Sequence, residues 1–216
     1  MISITKLNRP RVILFSILAL LSAYVVGEII LSYFDSHADN SRLKAMSLIL
    51  MPHGILGMIA LVVGPFQFST TLRKNNLKLH KRLGKIYIFS ILLSMPFAIL
   101  LNIYHTIPGA KVTFIFENIC QALVWAITAS MAWRAAARKQ ITIHKMWAAR
   151  SYGITMVFVL SRIYNPMKLF IKDSGINDFT HFLWFMIVFG LIVPDILVFS
   201  KELFARKKVS TARSLD

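Results

Sequence analysis

The stretch that decides the fold is LHKRLGKIYIFSILLSMPFAILLNIY, residues 79–104. Its first seven residues hold His80, Lys81, Arg82 and Lys85, and the nineteen that follow hold no Lys, Arg, Asp or Glu. About 20 apolar residues in a helix cross a hydrocarbon core roughly 30 Å thick, so a basic rim running into such a stretch reads as a helix entering a bilayer. A second segment, ITIHKMWAARSYGITMVFVL at 141–160, repeats the pattern. His144-Lys145 opens it, and Tyr152 follows the histidine much as Tyr87 follows His80.

Working outward, six stretches are long enough to span: near 12–33, 46–68, 84–104, 113–133, 148–168 and 180–200. The chain has 216 residues, 56% hydrophobic and 16% charged, with a mean hydropathy of +0.64. The expected fold is therefore an all-α integral membrane bundle of six transmembrane helices, a single domain over 1–216. The first stretch follows Lys6, Arg9 and Arg11, exceeds the usual length of a signal-peptide core and lacks a small-x-small cleavage site, so it reads as an anchored helix.

The net charge of +16 raises a nucleic-acid partner. The basic residues lie in short runs between apolar stretches, with no zinc-finger spacing or Gly-rich phosphate loop, so no nucleic-acid partner is expected; the partner is the lipid bilayer. The N-terminal tail, the 69–85 loop, the 134–150 segment and the C-terminal tail hold nineteen Lys and Arg; the loops near 34–45, 105–112 and 168–179 hold five. By the positive-inside rule both termini are cytoplasmic. All connections are short, so consecutive helices should be antiparallel neighbours. The single Cys120 excludes an intramolecular disulfide.

Ionisable groups inside spans are costly and mark candidate sites. Glu28, His53, Glu117, Gln121 and Arg162 fall in the outer half and outline a polar pocket able to hold an anionic or quinone-like ligand. The competing reading is structural: Arg162 paired with Glu117 or Glu28 to fix helix packing. Asn102, Asn118 and Asn165 share that half, whereas Asp195 lies near the inner end of the last stretch. Pro65, Pro96 and Pro194 read either as ordinary membrane-helix prolines or as kinks that open internal space, Pro65 allowing Gln67 to turn inward.

The histidines sort by side. His80 and His144 open two spans that run the same way, so both imidazoles belong to the cytoplasmic rim and are the candidate metal ligands. Two facing imidazoles are the axial set of haem b. His53 with His105 or His181 would form a second, outer cofactor-binding pair, and His37 falls in an outer loop. The plain alternative is that rim histidines beside lysines contact lipid headgroups or cap carbonyls.

The chain resembles a family of bacterial membrane proteins catalogued as domain of unknown function 2306. The likeness rests on His53-Gly54, Gly64-Pro65-Phe66-Gln67-Phe68, Arg73, His80-Lys81-Arg82-Leu83-Gly84-Lys85-Ile86-Tyr87, His144-Lys145-Met146-Trp147-Ala148-Ala149-Arg150-Ser151-Tyr152 and Arg162-Ile163-Tyr164. Lys81 and Lys145 stand where arginine is commoner in the family, which keeps the charge, and Ala148 stands where methionine is usual. The resemblance implies a multi-pass protein of the bacterial plasma membrane and no established activity. A looser likeness to two-haem membrane b-type cytochromes departs in one respect: the 113–133 stretch has no histidine, so a four-histidine ligand set is not available.

Three functions compete. One is a haem-b electron-transfer protein anchored on His80 and His144. Another is a small transporter or ligand-binding protein using the outer pocket. The third is a non-catalytic assembly or regulatory protein whose basic loops meet anionic lipid. No nucleophile–base–orienter arrangement points to a hydrolase.

Overall fold

A computed structural model describes residues 20, 24, 41–104, 112–161 and 179–204. It contains α1 (Ser41–Gln67), α2 (Thr70–Asn75), α3 (Leu77–Tyr104), α4 (Val112–Ala137), α5 (Ile141–Ser161) and α6 (Phe179–Phe204). All regular structure among the described residues is α-helical, as expected. The 12–33 stretch, apart from residues 20 and 24, lies outside the described residues, as do Glu28, His37, His105, Arg162 and Asn165.

Among the described residues, three segments are long and apolar enough to cross a membrane: Leu48–Gln67, Leu77–Ile103 and Phe114–Ala137. The shorter His181–Ile196 is also apolar. Their outward faces carry Val62, Leu93, Ile127, Phe185 and Ile192, each more than half exposed, while Ser90, Ser94, Thr128, Ser151 and Thr155 are buried. Apolar outside and small or hydroxylated inside is the pattern of helices solvated by lipid, where close packing and interhelical hydrogen bonds hold the bundle. α5 departs from the other long helices. It carries Arg150, Ser151 and Thr155, and its buried residues are concentrated between Ala149 and Val159.

Helix starts lie one to two turns before the apolar windows at 84 and 148. Hydropathy marks where hydrocarbon begins, whereas a helix begins where its free N–H groups find acceptors. Asn76 Oδ1 accepts the Leu79 N–H at 2.9 Å, which starts α3 early and puts His80 on the helix. Ser69 Oγ accepts the Leu72 N–H at 3.1 Å and caps α2 within what read as a plain loop.

The α4–α5 link is a Schellman turn. Gln140 N–H donates to Ala135 C=O at 2.9 Å and Lys139 N–H to Ala136 C=O at 3.0 Å. Lys139 takes the left-handed conformation, φ 58°, that this turn demands and that glycine adopts more cheaply. The reversal is abrupt, so the first turn of α5 folds straight back on the last turns of α4.

α1 packs along α3, α3 against α4, α4 against α5 and α5 against α6. The α5–α6 crossing is the closest: a Cβ on Gly153 would meet the Gly190 backbone and Pro194, and one on Gly190 would stand 2.9 Å from the Gly153 carbonyl oxygen. Gly64 on α1 lies against the rings of Tyr152 and Tyr87. The core cluster gathers Ala60, Leu61, Tyr87, Ile91, Trp125, Ala129, Tyr152, Ile154 and Val157 where α1, α3, α4 and α5 meet.

Candidate functional site at the rim of the bundle

Tyr87 on α3 sets the register of the site. Its hydroxyl lies 3.0 Å from Ser151 Oγ and 3.0 Å from Thr155 Oγ1, both on α5 and all buried. Trp125 Nε1 donates to Thr155 Oγ1 at 2.9 Å, and the Thr155 hydroxyl lies 3.0 Å from the Ser151 carbonyl of its own helix. Indole can only donate, so the network ends at Trp125 and ties α3, α4 and α5 together. Tyr152 faces the other way, its hydroxyl reaching the Leu61 carbonyl at 3.5 Å and its ring tilted against Phe68 at 5.6 Å between centroids.

His80 stands seven residues before Tyr87, and His144 seven before Ser151. The two helices run in the same direction, so both imidazoles lie about 10 Å from the Tyr87–Ser151 level, on the same side of it. The two also lie within electrostatic reach of each other, with Arg73 nearby. Both histidines therefore stand near the starts of their helices, at one end of the bundle.

The two rings differ in what they touch. His144 Nδ1 lies 3.0 Å from the Ala132 carbonyl. A carbonyl only accepts, so Nδ1 carries the proton and Nε2 keeps its lone pair in the neutral ring, the tautomer suited to a ligand. The Schellman turn is what brings His144 within reach of Ala132. His80 Nδ1 is buried with no hydrogen-bond partner among the described residues. Gln67 Nε2 is a second such atom: Gln67, at the end of α1, lies over Gly84 on α3, with Oε1 3.1 Å from where a Gly84 Cβ would be.

Of the outer candidates, His53 on α1 is bonded to Ser94 on α3. Its Nδ1 lies 2.9 Å from Ser94 Oγ and 3.3 Å from the Ser94 carbonyl, while Ser94 Oγ lies 3.2 Å from the His53 carbonyl. One proton assignment satisfies all three contacts: Nδ1–H donates to Ser94, and Ser94 O–H donates to His53 C=O. Ser94 is fourteen residues beyond His80, so His53 sits about 21 Å from the rim pair.

Glu117 on α4 is fully buried, and neither carboxylate oxygen has a partner among the described residues. Gln121 is half-buried one turn inward on the same helix. Asn102 and Asn118 are satisfied by carbonyls of their own helices, Ala98 and Phe114. His181 is exposed on α6, a helix that packs on α5 and α4 rather than on α1, which carries His53. No group of three His, Cys, Asp or Glu side chains gathers among the described residues, so a metal here would be held by a pair of imidazoles.

One interaction was not paired in the sequence reading. Arg150 on α5 and Asp195 on α6 form a two-armed ion pair, with Nε 3.0 and 3.1 Å from the carboxylate oxygens and an Nη closing the fork. The guanidinium also lies over Trp147, 4.9 Å from the ring centroid. In the sequence the ion pair is marked only by opposite charges near the ends of the last two apolar stretches.

No curated protein matches the chain, and no solved structure does. The family described as "Predicted membrane protein (DUF2306)" matches residues 50–198, which take in the last two-thirds of α1 through most of α6 and include the rim histidines, Gln67 and the tyrosine network. The chain is a membrane protein and belongs to that family.

Proposed function

We propose that the chain crosses the bacterial plasma membrane six times, with both termini cytoplasmic, and carries electrons through a haem b held by His80 and His144. The observation that carries the reading is the Tyr87–Ser151 hydrogen bond, which sets two parallel helices in register and brings the imidazoles to one level. The distribution of Lys and Arg supports reading that level as the cytoplasmic rim. The donor set is compatible with an axial pair: His144 is oriented through Nδ1 with Nε2 left for a ligand, and His80 is half-buried near the start of α3. Haem bound there would supply a one-electron couple. The chain's own groups hold and orient the imidazoles, while Tyr87 and Tyr152 close the bundle on the membrane side.

The test is an absorption spectrum of the detergent-purified protein after expression with ample haem. The expected result is a Soret band that diminishes in His80→Ala and His144→Ala and persists in His181→Ala. Colourless protein would sink the reading.

A second reading is favoured by Glu117: a small transporter or ligand-binding protein with an outer pocket of Glu28, His53, Glu117, Gln121 and Arg162. A fully buried carboxyl without a partner among the described residues is the group such a pocket would use. A lipophilic carbodiimide distinguishes it from a structural ion pair. Labelling of Glu117 in the parent protein supports the pocket; labelling only after Arg162→Ala shows the pair.

A further inference from the structure

We propose that Gln67 and His80 form a binding site for a ring carbonyl of a lipid-soluble quinone, entered sideways from the bilayer at the rim of the bundle. The starting point is two orphaned polar atoms. Buried polar groups in folded proteins are almost always hydrogen-bonded, and each exception calls for an explanation. Here Gln67 Nε2 and His80 Nδ1 are both buried without a partner among the described residues, on the adjacent helices α1 and α3. Gln67 lies over Gly84, and His80 projects from the same face of α3 one turn nearer the rim. The absent Cβ of Gly84 is what leaves room for the amide.

The chemistry of the two atoms selects the ligand. An amide NH2 can only donate, and an imidazole N–H donates in the matching tautomer. Both are satisfied by one carbonyl oxygen, which has two lone pairs. The surroundings select further. Phe68 and Tyr152 form a tilted aromatic pair, and Tyr87 and Tyr152 lie against the Gly64 side of α1. Phe66 and Phe68 are exposed on the outside of the same helix end, with Leu77 and Leu79 exposed at the start of α3. A flat, neutral, apolar ring suits such walls. A phosphate would be drawn to the exposed Lys78, Lys81 and Arg82 in water rather than to a buried amide, because burying its charge is far more costly.

The site deepens the electron-transfer reading, on which its physiological meaning rests, by naming the class of molecule that would exchange electrons with the rim. Quinone binding itself uses Gln67 and His80 Nδ1, whereas an axial bond would use His80 Nε2, so the two claims can fail separately.

The experiment is equilibrium binding of a decyl-substituted benzoquinone to the purified full-length protein in detergent. One saturable site is expected, weakened at least tenfold in Gln67→Leu and by a smaller factor in Gly84→Ala. The second variant removes no polar atom but puts a Cβ 3.1 Å from Gln67 Oε1, which shifts the amide by a few tenths of an ångström. Gly54→Ala, with nothing within 4 Å of the new Cβ, should bind as the parent does. Gln67→Leu deletes an orphaned donor, so its thermal midpoint should not fall, and weaker binding then reports on the site rather than on folding. Unchanged affinity in Gln67→Leu, or no saturable quinone binding, overturns the proposal, as does displacement of the quinone by phosphatidylglycerol at equal concentration. An intact Soret band in Gln67→Leu with quinone binding lost leaves both claims standing. Quinone binding by a colourless protein sinks the haem reading alone.

Discussion

Replacing Gly153 by alanine pits two effects of opposite sign against each other at the α5–α6 crossing. In an exposed helix interior Gly→Ala stabilises by up to about 1 kcal/mol, because alanine has less backbone freedom to lose. At position 153 the new Cβ would stand 2.8 Å from Pro194 Cγ and 2.9 Å from the Gly190 carbonyl carbon, and closer still to the carbonyl oxygen. The obstacle is backbone plus a proline ring, so no side-chain rotation relieves it, and the helices must part by roughly an ångström. A gap of 0.5–1 Å forfeits about a quarter to a half of the dispersion energy of the contacting atoms, and overpacking of this kind typically costs about 1–3 kcal/mol. The steric term wins, and Gly153→Ala should be destabilised by about 1–2 kcal/mol net of the propensity gain. The assay is the thermal midpoint in detergent, read against Gly54→Ala. That control has open space around the new Cβ and should be neutral or slightly stabilised. Equal or higher stability in Gly153→Ala would refute the close crossing.

Other expectations follow from the same kind of reasoning. Lys139→Gly should stabilise by up to about 1 kcal/mol, because glycine takes the left-handed turn position without steric cost, whereas Lys139→Val should destabilise; thermal melting reads both. A double-mutant cycle on Arg150→Ala and Asp195→Ala should give a coupling of about 1–2 kcal/mol, between exposed and fully buried pairs, since the two side chains are 26% and 29% exposed. Coupling near zero would mean that the pair contributes no specific interaction.

Helix content was legible from apolar length, and the position of His80 and His144 near helix starts from their place just before apolar stretches. The level of the pair was not, because it depends on the register of α3 against α5, set by Tyr87, Ser151 and Thr155 over 64 and 68 residues of separation. Serine and threonine are ordinary in apolar helices, so nothing marked Ser151, Thr155 or Ser94 as partners. The same holds for Gly153 and Gly190, whose close approach is a property of the crossing rather than of either segment. The early starts of α3 and α5 escaped a hydropathy reading because they depend on Asn76 and on the turn at Lys139. His53 was read as part of a pocket, and Ser94 accounts for its Nδ1 without any ligand. Pro65 lies inside α1, which continues to Gln67, and the Gln67 side chain lies over Gly84 of α3.

The polar character of α5 bears on the order in which the protein is made. A helix that enters the bilayer alone must present every side chain to lipid, and α5 would then present Arg150, Ser151 and Thr155. In the finished bundle those groups are met by Asp195 from α6, Tyr87 from α3 and Trp125 from α4. Two of the three partners are synthesised before α5 and one after it. Because Asp195 is made after α5, Arg150 is expected to gain its partner, and α5 its full burial, only once α6 has been synthesised and packed against it at Gly153 and Gly190. Truncating the nascent chain before residue 179 should leave α5 accessible to water-soluble reagents, while chains that include α6 protect it.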